Sequence, residues 1–72
     1  MKRVAVSSRS LRSLGYDPDE QVLEVEFHNG SLYRYERVPA EVVQALLEAD
    51  SLGRYFNRVF KPQHYRYRRI ES

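Results

Sequence analysis

Val22-Leu23-Glu24-Val25-Glu26-Phe27-His28-Asn29-Gly30-Ser31-Leu32-Tyr33-Arg34-Tyr35-Glu36-Arg37-Val38 is the stretch on which the fold turns. Val22 to Phe27 alternates with period 2, which predicts a strand with Leu23, Val25 and Phe27 on one face and Glu24 and Glu26 on the other. Ser31 to Val38 reads as its antiparallel partner across a turn at His28-Asn29-Gly30. A two-residue Asn29-Gly30 loop pairs Val25 with Arg34 and Leu23 with Glu36, mixing apolar and charged side chains on the core face. A three-residue loop, with Gly30 left-handed and forming a bulge, pairs Val25 with Tyr33 and Leu23 with Tyr35. It also sets Glu24 opposite Arg34 on the other face, a favourable cross-strand pair. The second register satisfies both faces and is the one expected.

Upstream, Leu11 to Tyr16 reads as a strand, closed by a turn at Asp17-Pro18-Asp19-Glu20. Leu11 and Leu14 are three residues apart, so period 2 allows them on one face only with a bulge or a bend. Residues 1–6 carry a short Val4/Val6 alternation and read as a ragged strand or a partly ordered arm.

Downstream, Pro39 suits the start of a helix and Glu41 lies in its first turn. Val42, Val43, Leu46 and Leu47 give it an apolar face ending near Ala49. Asp50 or Ser51 can cap a second helix running to about Phe60. Leu52, Tyr55, Phe56, Val59 and Phe60 are its expected buried set. Its other side carries Arg54, Asn57, Arg58 and Lys61, a basic stripe with no acid. Pro62 is expected to stop the helix, and His64 to Ile70 alternates as an extended segment. The result is one α+β domain over residues 1–72. It is a three-stranded antiparallel meander, then two short helices on one face, then a C-terminal extended strand.

The chain has 72 residues, and Leu, Ile, Val and Phe supply 19 of them, enough for a thin core rather than a disordered chain. There is no Cys, so neither disulfides nor thiolate zinc ligation are available. No apolar run reaches the length of a membrane span and no signal-peptide pattern is seen, so a cytoplasmic protein without a membrane partner is expected.

The net charge of +2 conceals strong segregation. Residues 1–12 carry +4, residues 13–50 carry −7 and residues 51–72 carry +5. Ten of the twelve basic residues are Arg, whose planar fork matches phosphate and stacks on bases. Basic ends point to an anionic partner, or else pair with the acidic middle of the same domain.

Ser7-Ser8, Leu14-Gly15-Tyr16-Asp17, Leu23 to Phe27, Gly30, Tyr33-Arg34-Tyr35, Val38-Pro39 and Ala49 to Asn57 together resemble the KTSC domain. That domain is named for the C-terminal extension of some lysyl-tRNA synthetases and also occurs as a free-standing small bacterial protein. The likeness runs from about Ser7 to Ile70. Leu11 and Leu14 stand where the family pattern has Ile, and Arg9 where it has Asn. The family has no established activity, and its attachment to a synthetase implies RNA, with tRNA as the candidate.

Among the residues themselves, Arg54, Arg58 and Lys61 on the helix and Arg66, Arg68 and Arg69 after Pro62 are the expected phosphate contacts. Tyr65 and Tyr67, interleaved with arginines, are the expected stacking residues. Tyr33 and Tyr35 share the face of Leu23 and Val25, so they read as core-lining with hydroxyls at the edge. His28 and His64 have no second ligand at metal spacing, and no Ser-His-Asp spacing or Gly-rich phosphate loop occurs. The expectation is a non-catalytic RNA-binding module with no cofactor, no metal and no small-molecule substrate. The alternative is a protein-interaction or self-association module using the sheet face of Glu24, Glu26 and Glu36, on which Val22 and Leu32 are the apolar residues.

Overall fold

The computed structural model describes residues 2–71, with side chains for 3–70. Five strands form one antiparallel sheet in sequence order: β1 (Lys2–Ala5), β2 (Leu11–Asp17), β3 (Val22–Phe27), β4 (Leu32–Tyr35) and β5 (Tyr67–Glu71). Between β4 and β5 the chain forms α1 (Ala40–Glu48) and α2 (Leu52–Tyr55). A π-helical turn (Phe56–Phe60) and a 3-10 turn (Lys61–Gln63) continue directly from α2. The α+β class holds, but the sheet is larger than the three-stranded meander expected. The segment read as a ragged strand or a partly ordered arm is a strand, β1, which pairs Val4 with Leu14 and Ala5 with Ser13; residue 1 lies outside the described residues. The C-terminal strand joins the same sheet beside β4.

The β3–β4 register is the one that satisfies both faces. Leu23 faces Tyr35, Glu24 faces Arg34 and Val25 faces Tyr33. Gly30 has φ +94°, Phe27 N–H donates to the Ser31 carbonyl at 2.9 Å, and Gly30 N–H donates to the Phe27 carbonyl at 3.0 Å. Between β2 and β3 the alternatives resolve to a bulge. Leu11 pairs with Phe27 and Ser13 with Glu26, leaving Arg12 as the extra residue. One inserted residue thus lets both Leu11 and Leu14 point inward, and both are buried.

The core lies between one sheet face and the helical layer. Leu11, Leu14, Leu23, Val25 and Tyr35 from the strands meet Val43, Leu46, Leu52, Phe56 and Phe60 from the helices, with Val38 at the crossover. Tyr16 ties the crossover down by donating its hydroxyl to the Val38 carbonyl at 2.6 Å. Ser51 caps α2 by accepting the Arg54 N–H at 3.4 Å.

The second helical face differs from expectation at Val59, which is exposed, while Tyr55 is half-buried. The cause is the π turn. Its i→i+5 bonding puts more residues in each turn. A four-residue spacing such as Phe56 to Phe60 stays on the buried face, and a three-residue spacing such as Phe56 to Val59 rotates off it. Pro62 does not stop the chain's helical path at once, because it falls in the first turn of the 3-10 segment, where its missing N–H costs nothing. The path ends at His64, which is left-handed at φ 58°.

Candidate nucleic-acid interface

β5 brings Tyr67 directly opposite Tyr35, and Arg69 opposite Tyr33. The result is a continuous run of rings. Phe27 meets Tyr33 at 5.5 Å between centroids, and Tyr33 meets Tyr67 at 5.6 Å. Tyr67 meets Tyr35 at 5.3 Å, Tyr35 meets Phe60 at 5.0 Å, and Phe60 meets Tyr65 at 5.0 Å. The run lines an open groove of about 630 Å³ between the β4–β5 end of the sheet and the turn after the π segment. Asn29, Ser31, Lys61 and His64 supply its polar lining.

Burial grades along this groove. Tyr35 is buried at its floor, Tyr33 and Tyr65 are half-buried, and Tyr67 is 56% exposed. Burial, and then the neighbouring Tyr67 and Tyr33, push the Tyr35 phenol up to about 12. Tyr35 is therefore neutral at any physiological pH. Lys61 holds its ammonium 5.7 Å from the Phe56 ring centroid, a cation–π contact at the groove wall. Arg69 donates to the Ser31 hydroxyl at 3.3 Å on the same side.

The structure scatters the expected site residues rather than gathering them on one surface. Lys61, Tyr65, Tyr67 and Arg69 gather at the groove. Arg54 lines a separate concavity with Asn57, and Arg58 is exposed on the outer surface of the π turn. Arg68 faces Arg34 across the ladder, on the sheet surface that bears Glu24. Arg66 is exposed just before β5, its carbonyl accepting the Glu36 N–H at 2.8 Å. The helical stripe breaks at Lys61, because the change from π to 3-10 geometry turns that residue toward the groove.

Two of the three acids expected on the open sheet face, Glu24 and Glu26, are already engaged. Glu24 is buried and takes Arg34 Nη2 at 2.8 Å and Nε at 3.2 Å on one oxygen. Arg3 binds its other oxygen. Arg3 lies opposite Gly15 in the β1–β2 ladder, and Gly15 lies opposite Glu24. The arginine therefore crosses a strand that has no side chain in its way. Burial raises the Glu24 pKa, but hydrogen bonds from Arg34 and Arg3 outweigh it and hold the carboxyl below its ordinary value. Glu26 accepts from the Ser13 hydroxyl at 2.8 Å and faces Arg12 at 3.8 Å.

Sequence reading named Lys61, placed Tyr33 in the core lining, and passed over Phe60 and His64 as groove walls. The signal that could have found them is the match of Tyr65-x-Tyr67 to Tyr33-x-Tyr35, which suits strands paired on one face. Two helices separate those strands, so spacing alone does not reveal the pairing. Among the described residues no group of three or more His, Cys, Asp and Glu side chains converges to hold a metal, and no helix is long and apolar enough to cross a membrane.

Comparison with known proteins agrees with this fold. A protein of Stutzerimonas stutzeri is 79% identical over 71 residues, covering 99% of this chain and all of the relative. A lysine–tRNA ligase of a Nostoc species is 40% identical over 53 residues, which is 74% of this chain but 9% of the ligase. The crystal structure of a KTSC domain protein from Yersinia pestis superposes with a TM-score of 0.87 at 40% identity, covering 96% of each chain. Residues 7–67 match the family model of the KTSC domain, and with that match the chain belongs to the KTSC domain family.

Proposed function

We propose that this chain is a non-catalytic binding module for single-stranded RNA, and that the aromatic groove is its contact surface. The observation that carries the reading is Tyr67, a large aromatic left more than half exposed on an edge strand, against the rings of Tyr33 and Tyr35. An exposed ring beside a graded aromatic floor is a platform on which bases stack without sequence preference. Lys61 and Arg69 stand where a strand's phosphates would pass, and among the described residues neither is in an ion pair. Arg58, Arg66 and Arg68 then act at longer range, as steering charge, and Arg54 lies outside the groove. Lysine–tRNA ligases carrying a matching segment support RNA as the class and tRNA as the first RNA to try. The non-catalytic reading rests on a groove whose polar lining is Asn29, Ser31, Lys61 and His64, with no carboxylate among its described lining residues to orient a His–Ser pair. The sheet face offered for a protein partner has two of its three acids, Glu24 and Glu26, already paired within the chain, which leaves Glu36.

The test is a binding titration of fluorescently labelled RNA at low salt with the intact chain and with Tyr67→Ala. Micromolar or tighter binding that Tyr67→Ala weakens at least tenfold supports the reading, since stacking contributes about 1–3 kcal/mol per base. Equal binding by both proteins contradicts it.

A further inference from the structure

A second concavity of about 620 Å³ shares no lining residue with the aromatic groove. It forms where the β1–β2 connection meets the segment that opens α2. Ser7-Ser8 and Ala49 to Asn57 carry the family likeness from distant parts of the sequence, and these two stretches meet here.

The fit between the two segments is close. A Cβ added at Gly53 would come within 3.2 Å of the Ser8 hydroxyl oxygen, so glycine lets one segment seat on the other. His28 Nε2 holds the Ser8 carbonyl at 2.8 Å and pins the connection to the β3–β4 turn. The Ser8 hydroxyl oxygen accepts the Ser10 N–H at 3.2 Å and the Leu11 N–H at 3.3 Å. The Ser51 hydroxyl oxygen accepts the Arg54 N–H. Each oxygen is occupied as an acceptor, which leaves each hydroxyl proton to donate elsewhere.

Arg9 and Arg54 both line the pocket, and among the described residues neither is in an ion pair. Three other arginines of the chain, Arg3, Arg12 and Arg34, have carboxylate partners. The pocket thus combines two uncommitted guanidinium forks with hydroxyl donors in a concave, polar surface, against one acid, Asp50. Phosphate oxygens suit this donor set, because guanidinium grips them bidentately and hydroxyls complete the shell.

We propose that this pocket binds a phosphate group, gripped by Arg9 and Arg54 and completed by the Ser8 and Ser51 hydroxyls. A free phosphomonoester and an RNA strand present the same oxygens, and the experiment separates these sources. The site stands without the groove reading.

The test is an NMR titration of the ¹⁵N-labelled chain with inorganic phosphate at constant ionic strength. The expected result is saturable shifts confined to the amides of Ser8, Ser10 and Gly53 and their neighbours. Arg9→Ala with Arg54→Ala should weaken binding at least tenfold while amides elsewhere keep their positions, and Arg54→Gln alone should give a smaller loss. Tyr67→Ala should leave the phosphate shifts unchanged, which separates this site from the groove. A 5′-phosphorylated RNA hexamer that outcompetes its 5′-hydroxyl counterpart supports a phosphomonoester as the ligand; equal competition by the two supports a backbone phosphodiester. Shifts that fail to saturate, or that spread equally to Arg66 and Arg68, overturn the proposal.

Discussion

Tyr67 lies directly opposite Tyr35 in the β4–β5 ladder, with ring centroids 5.3 Å apart, yet Tyr35 is 7% exposed and Tyr67 56%. One ladder position is sealed in the core and its partner is left exposed. Tyr35→Ala should therefore cost about 3–5 kcal/mol, enough to unfold much of so small a domain. Tyr67→Ala should cost under about 1 kcal/mol, as surface substitutions do. Urea denaturation of both variants checks the contrast, and comparable losses would mean that Tyr67 is a core residue.

Burial of the Tyr35 phenol also sets an alkaline limit. Its folded pKa of about 12 lies above the unfolded value of about 10. The native state holds this proton more tightly, so the stabilisation is complete below about pH 10 and is lost as pH rises toward 12. The loss across that window should be roughly 2 kcal/mol. Tyr35→Phe should flatten it, measured as unfolding free energy from pH 9 to 12. An unchanged slope in that variant would assign the loss to other groups.

Glu24 predicts the opposite sign at low pH. Its folded pKa is depressed by Arg34 and Arg3. Its contribution is present above the unfolded carboxylate value of about 4.3 and disappears as pH falls through the lower folded value. Glu24→Gln should cost about 1–3 kcal/mol at neutral pH, because hydrogen bonds to charged partners are removed. It should also make the acid limb of the stability curve shallower. Arg34 would then face Arg68 without a compensating carboxylate.

Gly30 at φ +94° tests the hairpin itself. A Cβ there meets nothing within 4 Å, so the cost of Gly30→Ala is backbone strain alone. About 1 kcal/mol is expected from chemical denaturation. A neutral result would place the turn in another conformation.

The parts of the fold legible in the sequence are those governed by local rules. The β3–β4 register followed from matching both faces of Val22 to Tyr35, and α1 followed from Pro39 and its apolar spacing. The Leu11/Leu14 conflict announced an irregularity but not its form; the bulge at Arg12 depends on pairing with Phe27. Two features were hidden because they are long-range. Residues 2–5 lack a periodic signal strong enough to declare a strand, and they form one because β2 offers an open edge. The π turn, which exposes Val59 and swings Lys61 toward the groove, brings Phe56 and Phe60 together against Tyr35, a contact distant in sequence. Of the candidate site, Tyr65, Tyr67, Lys61 and Arg69 were named from sequence and gather at one groove. Arg54, Arg58, Arg66 and Arg68 were named by the same reasoning and lie elsewhere, since charge alternation alone does not say which face of an edge strand meets a ligand.

The most direct measurement is the salt dependence of RNA affinity for the intact chain, Tyr67→Ala, and Lys61→Ala with Arg69→Ala. Contact with about four phosphates of a single strand gives a log–log slope near −3, at about −0.7 per phosphate. The double variant should make that slope shallower by about 1–1.5 and weaken all RNA sequences alike. Tyr67→Ala should lower affinity at every salt concentration with the slope unchanged, because stacking releases no counterions. Absence of RNA affinity at low salt, or a Tyr67→Ala chain that binds as the intact one does, would contradict the account.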